Sequence, residues 1–184
     1  MTKPEHLTHL RGNQLVEKDD PAIVLRGKLD TLCAALLEAQ LLGRQLEAPA
    51  FVDDLQEILE FVRTILPAEY KGTPMGEFRL LGLTAGELRE RCRHPEKHFG
   101  RGHLLADKDM GALSVRLNLL RALARETEIA AVTAFRDPSP DTPGPARSLR
   151  PDILEGLNGL SALLYALMYK YLPVGYCATG DPGF

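Results

Sequence analysis

Residues 109–135 read DMGALSVRLNLLRALARETEIAAVTAF, and this stretch carries the longest periodic pattern in the chain. Its apolar residues recur at spacings of three, four and seven, which places them on one face of an α-helix. The residues on this face are Leu113, Leu117, Leu120, Ala124 and Ala131. Because such a face needs a partner to cover it, the stretch predicts a long helix packed against other helices.

Four more stretches show the helical period, and none shows the alternation of a strand. Their predicted bounds are about 21–43, 51–67, 83–93 and 151–172. In the short third helix, Thr84 and Glu87 match a capping box. Residues 68–83, 94–110 and 137–147 are expected to be loops, the last because it holds four prolines. The pattern therefore predicts an all-α fold, a five-helix antiparallel bundle.

Composition excludes several classes of protein. The 184 residues are 45% hydrophobic and 26% charged, which is enough for a buried core. The net charge of −3 disfavours a nucleic-acid binder that relies on general basicity. The three cysteines are far apart in sequence and do not make a disulfide framework. The first residues are too polar for a signal peptide, and no apolar run is long enough to predict a membrane span. We expect a cytoplasmic protein with no membrane and no nucleic-acid partner.

The chain is expected to divide into three parts. They are an N-terminal segment (1–20), a helical-bundle domain (21–172) and an irregular C-terminal tail (173–184). The tail holds the run from Thr179 to Gly183, whose backbone N–H groups could cradle a phosphate. Coincidence is the other interpretation of this run, and its role stays open.

Three of the predicted helices carry polar residues close to their buried faces. Arg121, Arg125 and Glu128 share one face of the helix at 109–135, since their spacings are four and three. Asp30 lies beside the apolar stripe of the first helix, and Asn158 lies beside that of the last, near Ser161 and Tyr165. Polar groups at such positions need partners. They form either a surface ion-pair lattice or an anion site in which arginines hold phosphate, and the spacing leaves both open.

Four ordered segments together resemble the corrinoid adenosyltransferases, and most closely their ethanolamine-utilisation type. The matching segments are Leu7 to Asp30, Gly76 to Leu88, His103 to Glu128 and Leu149 to Ser161. The chain is more distantly similar to the propanediol-utilisation type. It shares with that type an Arg-x3-Arg-x2-Glu element from Arg121 and a Leu-Asn-x-Leu-Ser element from Leu157.

The resemblance implies a set of site residues. Arg121, Arg125 and Glu128 would be catalytic, and Lys18, Asp30, Arg121, Arg125 and Asn158 would bind ATP. In enzymes of the propanediol-utilisation type ATP lies between the subunits of a trimer, so by analogy Asp30 and Arg121 would meet across an interface. Arg125 and Lys18 would bind phosphates, and Glu128 would orient Arg125. His103, at the start of the loop that faces the corrin ring in the family, would line the corrinoid pocket; an ordinary exposed loop histidine is the other interpretation.

The implied reaction is transfer of the 5′-deoxyadenosyl group of ATP to the cobalt of a corrinoid. ATP, Mg²⁺ and cobalamin as substrate are therefore expected. The expected partners are further copies of the chain, with a trimer favoured, and a cobalamin-dependent enzyme such as ethanolamine ammonia-lyase or its reactivase. The location would be the cytoplasm or a bacterial microcompartment within it. A corrinoid carrier without activity and a microcompartment-associated helical scaffold remain alternatives.

The chain departs from the resemblance in its metal ligands. Ethanolamine-type enzymes carry a His followed by Cys-Cys-x-x-Cys upstream of the segment that matches Thr8 to Leu10. The cysteines here, Cys33, Cys92 and Cys177, do not reproduce that motif. We therefore expect no metal site, and whether activity needs the motif stays open. A zinc site built from Cys92, His94, His98 and His103 is the alternative to an ordinary polar loop.

Overall fold

Six α-helices carry most of the regular backbone in the computed structural model, which describes residues 4–137 and 148–177. The helices are α1 (Pro21–Gln45), α2 (Pro49–Lys71), α3 (Ala85–Arg93), α4 (Pro95–Phe99), α5 (Gly111–Ala134) and α6 (Pro151–Lys170). The predicted all-α bundle is confirmed, and the short connection at 46–48 makes α1 and α2 antiparallel neighbours. Within the described ranges, no helix is both long enough and apolar enough to cross a bilayer.

Two small strand pairs accompany the helices, and the sequence pattern did not predict them. β1 (Leu7–Arg11) and β2 (Gln14–Glu17) form an antiparallel hairpin, and β3 (Arg79–Leu80) pairs with β4 (Leu83–Thr84). Gly12 adopts a φ of 51° in the first turn, a conformation that glycine reaches without strain. The strands are too short and too polar to show a clear alternation.

Two of the predicted loops also differ from the structure. The second helix runs through Pro67 to Lys71, and buried Ala68 and Glu69 hold its last turn in place. The predicted loop at 94–110 contains α4 and a 3₁₀ turn at Lys108–Met110. The motif from Thr179 to Gly183 and the proline-rich residues 138–147 lie outside the described residues, and the division into three parts stays a prediction.

The centre of the core is α6, which packs against both α5 and α3, while α5 also packs against α1. The apolar stripes predicted for α5 and α6 are buried apart from half-buried Leu113, with Leu117, Leu120, Leu157 and Leu160 fully enclosed. The glycines of α6 allow aromatic rings to approach the helix. A Cβ atom on Gly159 would lie 2.8 Å from the Phe78 ring.

Replacing Gly159 with alanine is expected to destabilise the fold. The added methyl group would collide with the buried Phe78 ring, and this overpacking should outweigh a helix-propensity gain of about 1 kcal/mol. We expect Gly159→Ala to lower the free energy of unfolding in urea by about 1–2 kcal/mol. Gly27→Ala on α1, where the Cβ meets nothing within 4 Å, should instead raise it. Equal effects of the two changes would contradict the packing argument.

The N-terminal hairpin is fastened to the bundle by a buried carboxylate. Glu69 of α2 accepts hydrogen bonds from Arg11 of β1 at 3.0 Å and from Arg26 of α1 at 2.9 Å. Arg26 also donates to the carbonyl of Leu10. These contacts fix where the chain enters α1, because one side chain joins the hairpin and two helices.

A second ion pair fixes the start of α6. Arg150 donates to both carboxylate oxygens of Asp152 and to the carbonyls of Ala68 and Thr73, and the backbone N–H of Met75 donates to Asp152. The Arg150 guanidinium lowers the pKa of Asp152 to about 2. Arg150 and Asp152 of this Arg-Pro-Asp sequence therefore anchor the loop between α2 and β3 to the start of α6.

This shift predicts a pH window for the contribution of Asp152 to stability. Since its pKa is lower in the folded chain than in the unfolded chain, the contribution is complete above about pH 4 and is lost as the pH falls towards 2. The difference in unfolding free energy between the wild type and Asp152→Asn should shrink over that range. A difference that stays constant from pH 5 to pH 2 would contradict the assignment.

Candidate functional site

A cleft of about 370 Å³ opens where α3, α5 and α6 meet. It is lined by Arg89, Cys92, Arg93, Arg121, Arg125, Asn158, Ser161, Ala162 and Tyr165. Four of these side chains are guanidinium groups, and none of the lining side chains is a carboxylate. A concave site with this charge is suited to a small, strongly anionic ligand.

The structure brings three of the predicted site residues into this cleft. Arg121 and Arg125 come from α5 and Asn158 from α6, as their helical spacing requires. Lys18 and Asp30 do not line it within the same chain. Both are exposed, Lys18 just before α1 and Asp30 on α1, and neither side chain makes a hydrogen bond or ion pair within the described ranges.

Hydrogen bonds around the cleft differ from the expected arrangement. Asn158 donates to Glu128 at 3.0 Å, and Arg121 donates to the side-chain oxygen of Asn118 at 3.0 and 3.2 Å. Arg125 makes no hydrogen bond or ion pair with any described residue, so the expected contact between Glu128 and Arg125 is not made. Glu128 orients Asn158 instead, and the Arg125 guanidinium is left available to a ligand.

Arg89 and Arg93 are cleft residues that the sequence analysis missed. Their spacing of four residues on α3 repeats that of Arg121 and Arg125 on α5, and this repeat was the signal that could have identified them. Arg89 lies 4.0 Å from the exposed Glu155 carboxylate, at the limit of an ion pair. Arg93 has no such partner in the described ranges. Most of the positive charge is therefore uncompensated.

The thiol of Cys92 adds no negative charge to this cleft. It lies on the same side of α3 as the two arginines and donates to the carbonyl of Ala162 at 3.4 Å. Burial raises the pKa of the Cys92 thiol, which keeps it protonated. Its effect is to fill space between α3 and α6.

His103 lies beside the cleft because Tyr165 of α6 holds its loop. The Tyr165 hydroxyl accepts the N–H of Leu104 at 3.0 Å and lies 3.3 Å from Nδ1 of His103. It also hydrogen-bonds to the Tyr169 hydroxyl, which donates to the carbonyl of Gly102. Since Tyr165 lines the cleft as well, one side chain joins the arginine site to the loop at 100–107.

The far end of this loop is fastened by Tyr176. Its hydroxyl donates to Asp107 at 2.7 Å, and Arg101 donates to its carbonyl. The hydrogen bond from Tyr176 lowers the pKa of Asp107, while burial together with the Asp107 carboxylate raises the pKa of Tyr176 to about 12. The loop is therefore held at both ends, with His103 and Leu105 exposed between.

Within residues 4–137 and 148–177, no three His, Cys, Asp or Glu side chains converge as metal ligands would. The alternative zinc site at Cys92, His94, His98 and His103 is therefore not assembled. His94 lies near Glu90, and His103 lies near Tyr165.

Removing the Tyr165 hydroxyl is expected to loosen the loop without unfolding the protein. In Tyr165→Phe the Leu104 N–H loses its acceptor, so its hydrogen–deuterium exchange should accelerate about 2- to 10-fold. Tyr70→Phe is the matched control, since Tyr70 is exposed and only its ring contacts Arg26. Unchanged exchange at Leu104 would mean that Tyr165 does not anchor the loop.

The class of protein follows from comparison with known families. The family model described as cobalamin adenosyltransferase matches residues 1–171. The chain belongs to this family. Its fold, a helical bundle with an arginine-lined cleft, agrees with the assignment.

Individual relatives show which members of this family the chain is similar to. The chain is 33% identical over 166 residues to the corrinoid adenosyltransferases EutT of Escherichia coli strains K12 and CFT073, and 32% identical to that of Salmonella typhimurium. Each match covers 90% of this chain and 58% of the relative, so the chain spans less than two thirds of the curated relatives it matches. No solved structure matches it significantly.

Proposed function

We propose that this chain is an ATP:cob(I)alamin adenosyltransferase, which makes adenosylcobalamin for a cobalamin-dependent enzyme. The observation that carries the proposal is the arginine cleft, found in a chain of the cobalamin adenosyltransferase family. The relatives named corrinoid adenosyltransferase EutT support ethanolamine utilisation as its setting. A binding carrier without activity has no feature of the described residues in its favour.

In the proposed reaction, cobalt(I) attacks the ribose C5′ of ATP with its electron pair. The cobalt–carbon bond forms as the C5′–oxygen bond breaks, and triphosphate leaves with the electron pair of that bond. Cobalt thereby goes from Co(I) to Co(III). Because negative charge grows on the departing oxygen, guanidinium groups that hold the phosphate chain in line stabilise the transition state.

Each predicted residue then has a chemical task. Arg125, which has no other partner, binds phosphate, and Arg121 does so while Asn118 fixes its orientation. Asn158, held by Glu128, contacts the nucleotide. Glu128 is thus proposed to act on Asn158 rather than on Arg125.

The corrinoid is proposed to bind next to this cleft. Tyr165 lines the cleft and holds the loop that carries His103, so a ring seated against that loop would place its cobalt near the bound nucleotide. His103 is exposed and free to line this pocket. The exposed Leu105 beside it would exclude water from the ring, which favours the reduced cobalt.

Further copies of the chain are proposed to complete the site. Asp30 shares a face of α1 with Leu37 and Leu41, which are 44% and 57% exposed. On α5, exposed Ile129 and Val132 lie four and seven residues after Arg125, on the same side of the helix. An apolar surface bordering the cleft is suited to a subunit interface. A trimer would let Asp30 and Lys18 of one copy reach the cleft of the next.

Several finer features belong to the same proposal. Mg²⁺ would be held by the triphosphate, since the cleft lining supplies no carboxylate, and no step above depends on it. The product would pass to a lyase such as ethanolamine ammonia-lyase or to its reactivase. The proposed location is the cytoplasm or a microcompartment within it.

Replacing Arg125 with alanine is expected to abolish turnover and leave the fold intact. The exposed side chain makes no contact that the fold needs, whereas loss of a phosphate-binding guanidinium should lower kcat/KM by about 100-fold or more. The assay follows formation of light-sensitive adenosylcobalamin from ATP, Mg²⁺ and chemically reduced cob(I)alamin without oxygen. Arg116→Ala is the control on the same helix, because Arg116 pairs with Glu38 outside the cleft.

The outcomes separate the candidate functions. Product from the wild type and from Arg116→Ala, but not from Arg125→Ala, supports the transferase and the assigned role. Full activity of Arg125→Ala would contradict that role. If the wild type makes no product but the cob(II)alamin spectrum shifts when ATP is added, the chain is a carrier. A chain that binds neither ligand would be a scaffold.

A further inference from the structure

Two arginines in the cleft are not explained by the resemblance that identified the others. Arg89 and Arg93 lie on α3, a helix that carries none of the expected site residues. From the geometry we infer that they form a second phosphate clamp, which binds the polyphosphate chain of the nucleotide together with Arg121 and Arg125. This inference rests on the proposed function and extends it to the specificity for a long phosphate chain.

The local structure of α3 fixes which of its side chains face the cleft. The capping box of Thr84 and Glu87 sets the first turn, and buried Leu88 sets the rotation of the helix on α6. One flank of α3 then presents Arg89 and Arg93 to the cleft. Arg91 lies on the other flank and lines a different cavity, with Phe99 and Leu163.

Electrostatics favour an anion between the two helices. Each pair of arginines is four residues apart, so its charges repel, and the two pairs face one cleft. In the described ranges the one carboxylate that forms an ion pair with any of these four guanidinium groups is Glu155, 4.0 Å from Arg89 and exposed, while Glu128 is hydrogen-bonded to Asn158. The neutral Cys92 thiol adds no counter-charge. An anion with several oxygens relieves this repulsion and offers the bidentate geometry that guanidinium groups prefer.

The arrangement favours a chain of phosphates over a single phosphate group. Arginines from two separate helices line a cleft of about 370 Å³, and each pair can hold its own phosphate. Removing the two α3 arginines should therefore weaken the binding of ATP and of tripolyphosphate strongly, and the binding of AMP only slightly. A lone phosphate contact at Arg121 and Arg125 would make no such distinction.

The test is calorimetric titration of the full chain with tripolyphosphate, ATP and AMP. The variants are Arg89→Ala, Arg93→Ala and Arg93→Lys, with Arg91→Ala as the matched control on the other flank of α3. Arg89 and Arg93 are exposed, so their truncation leaves the core intact, and thermal unfolding checks this. We expect each alanine variant to raise the Kd of tripolyphosphate and of ATP about tenfold. Arg93→Lys should recover part of the loss, and Arg91→Ala should bind like the wild type.

Other outcomes would overturn the inference. They are wild-type affinity for tripolyphosphate and ATP in Arg89→Ala and Arg93→Ala, an equal loss of affinity in Arg91→Ala, or an equal loss of affinity for AMP. Absence of tripolyphosphate binding to the wild type would also overturn it.

An activity assay distinguishes failure of this inference from failure of the proposed function. If the wild type makes adenosylcobalamin and the α3 variants bind normally, only the inference fails. If no product forms but the four arginines bind tripolyphosphate, only the proposed reaction fails.

Discussion

Burial of α6 is the constraint on which the rest of this structure depends. Eleven of its 20 residues are buried, so the other helices must pack around it rather than beside it. A helix enclosed in this way has little room for polar side chains, and those it carries need partners. Three polar side chains along one stripe of α6 have hydrogen-bond partners, those of Asn158, Ser161 and Tyr165. The cleft is where α3 and α5 leave this stripe uncovered.

The stripe also joins two regions of the proposed site that are distant in sequence. Asn158 is held by Glu128 of α5, and Tyr165 is hydrogen-bonded to the loop at 100–107. The arginine site and the His103 loop therefore share one rigid support. This arrangement suits a two-substrate reaction, in which a nucleotide and a second ligand must meet at a fixed distance.

Electrostatics within the cleft are set by the absence of acidic neighbours from its lining. Elsewhere in the described chain, two arginines that fasten parts of the fold are matched by carboxylates, Arg26 by Glu69 and Arg150 by Asp152. Those two pairs hold the N-terminal hairpin and the start of α6 in place. Arg93 and Arg125 have no such match in the described ranges, which leaves their guanidinium groups available to the ligand proposed for the cleft.

The sequence by itself determined every described helix except α4, together with the arginines of α5, because helical periodicity and i, i+4 spacing are local properties. Tertiary structure alone decided the rest. It placed Arg89 and Arg93 of α3 in the same cleft as those arginines. It also paired Glu128 with Asn158 by a hydrogen bond and brought His103 next to the Tyr165 hydroxyl. It also formed the hairpin at residues 7–17, which Glu69 anchors from far along the chain. These contacts join residues distant in sequence, and a local sequence pattern does not predict which distant residue a side chain contacts.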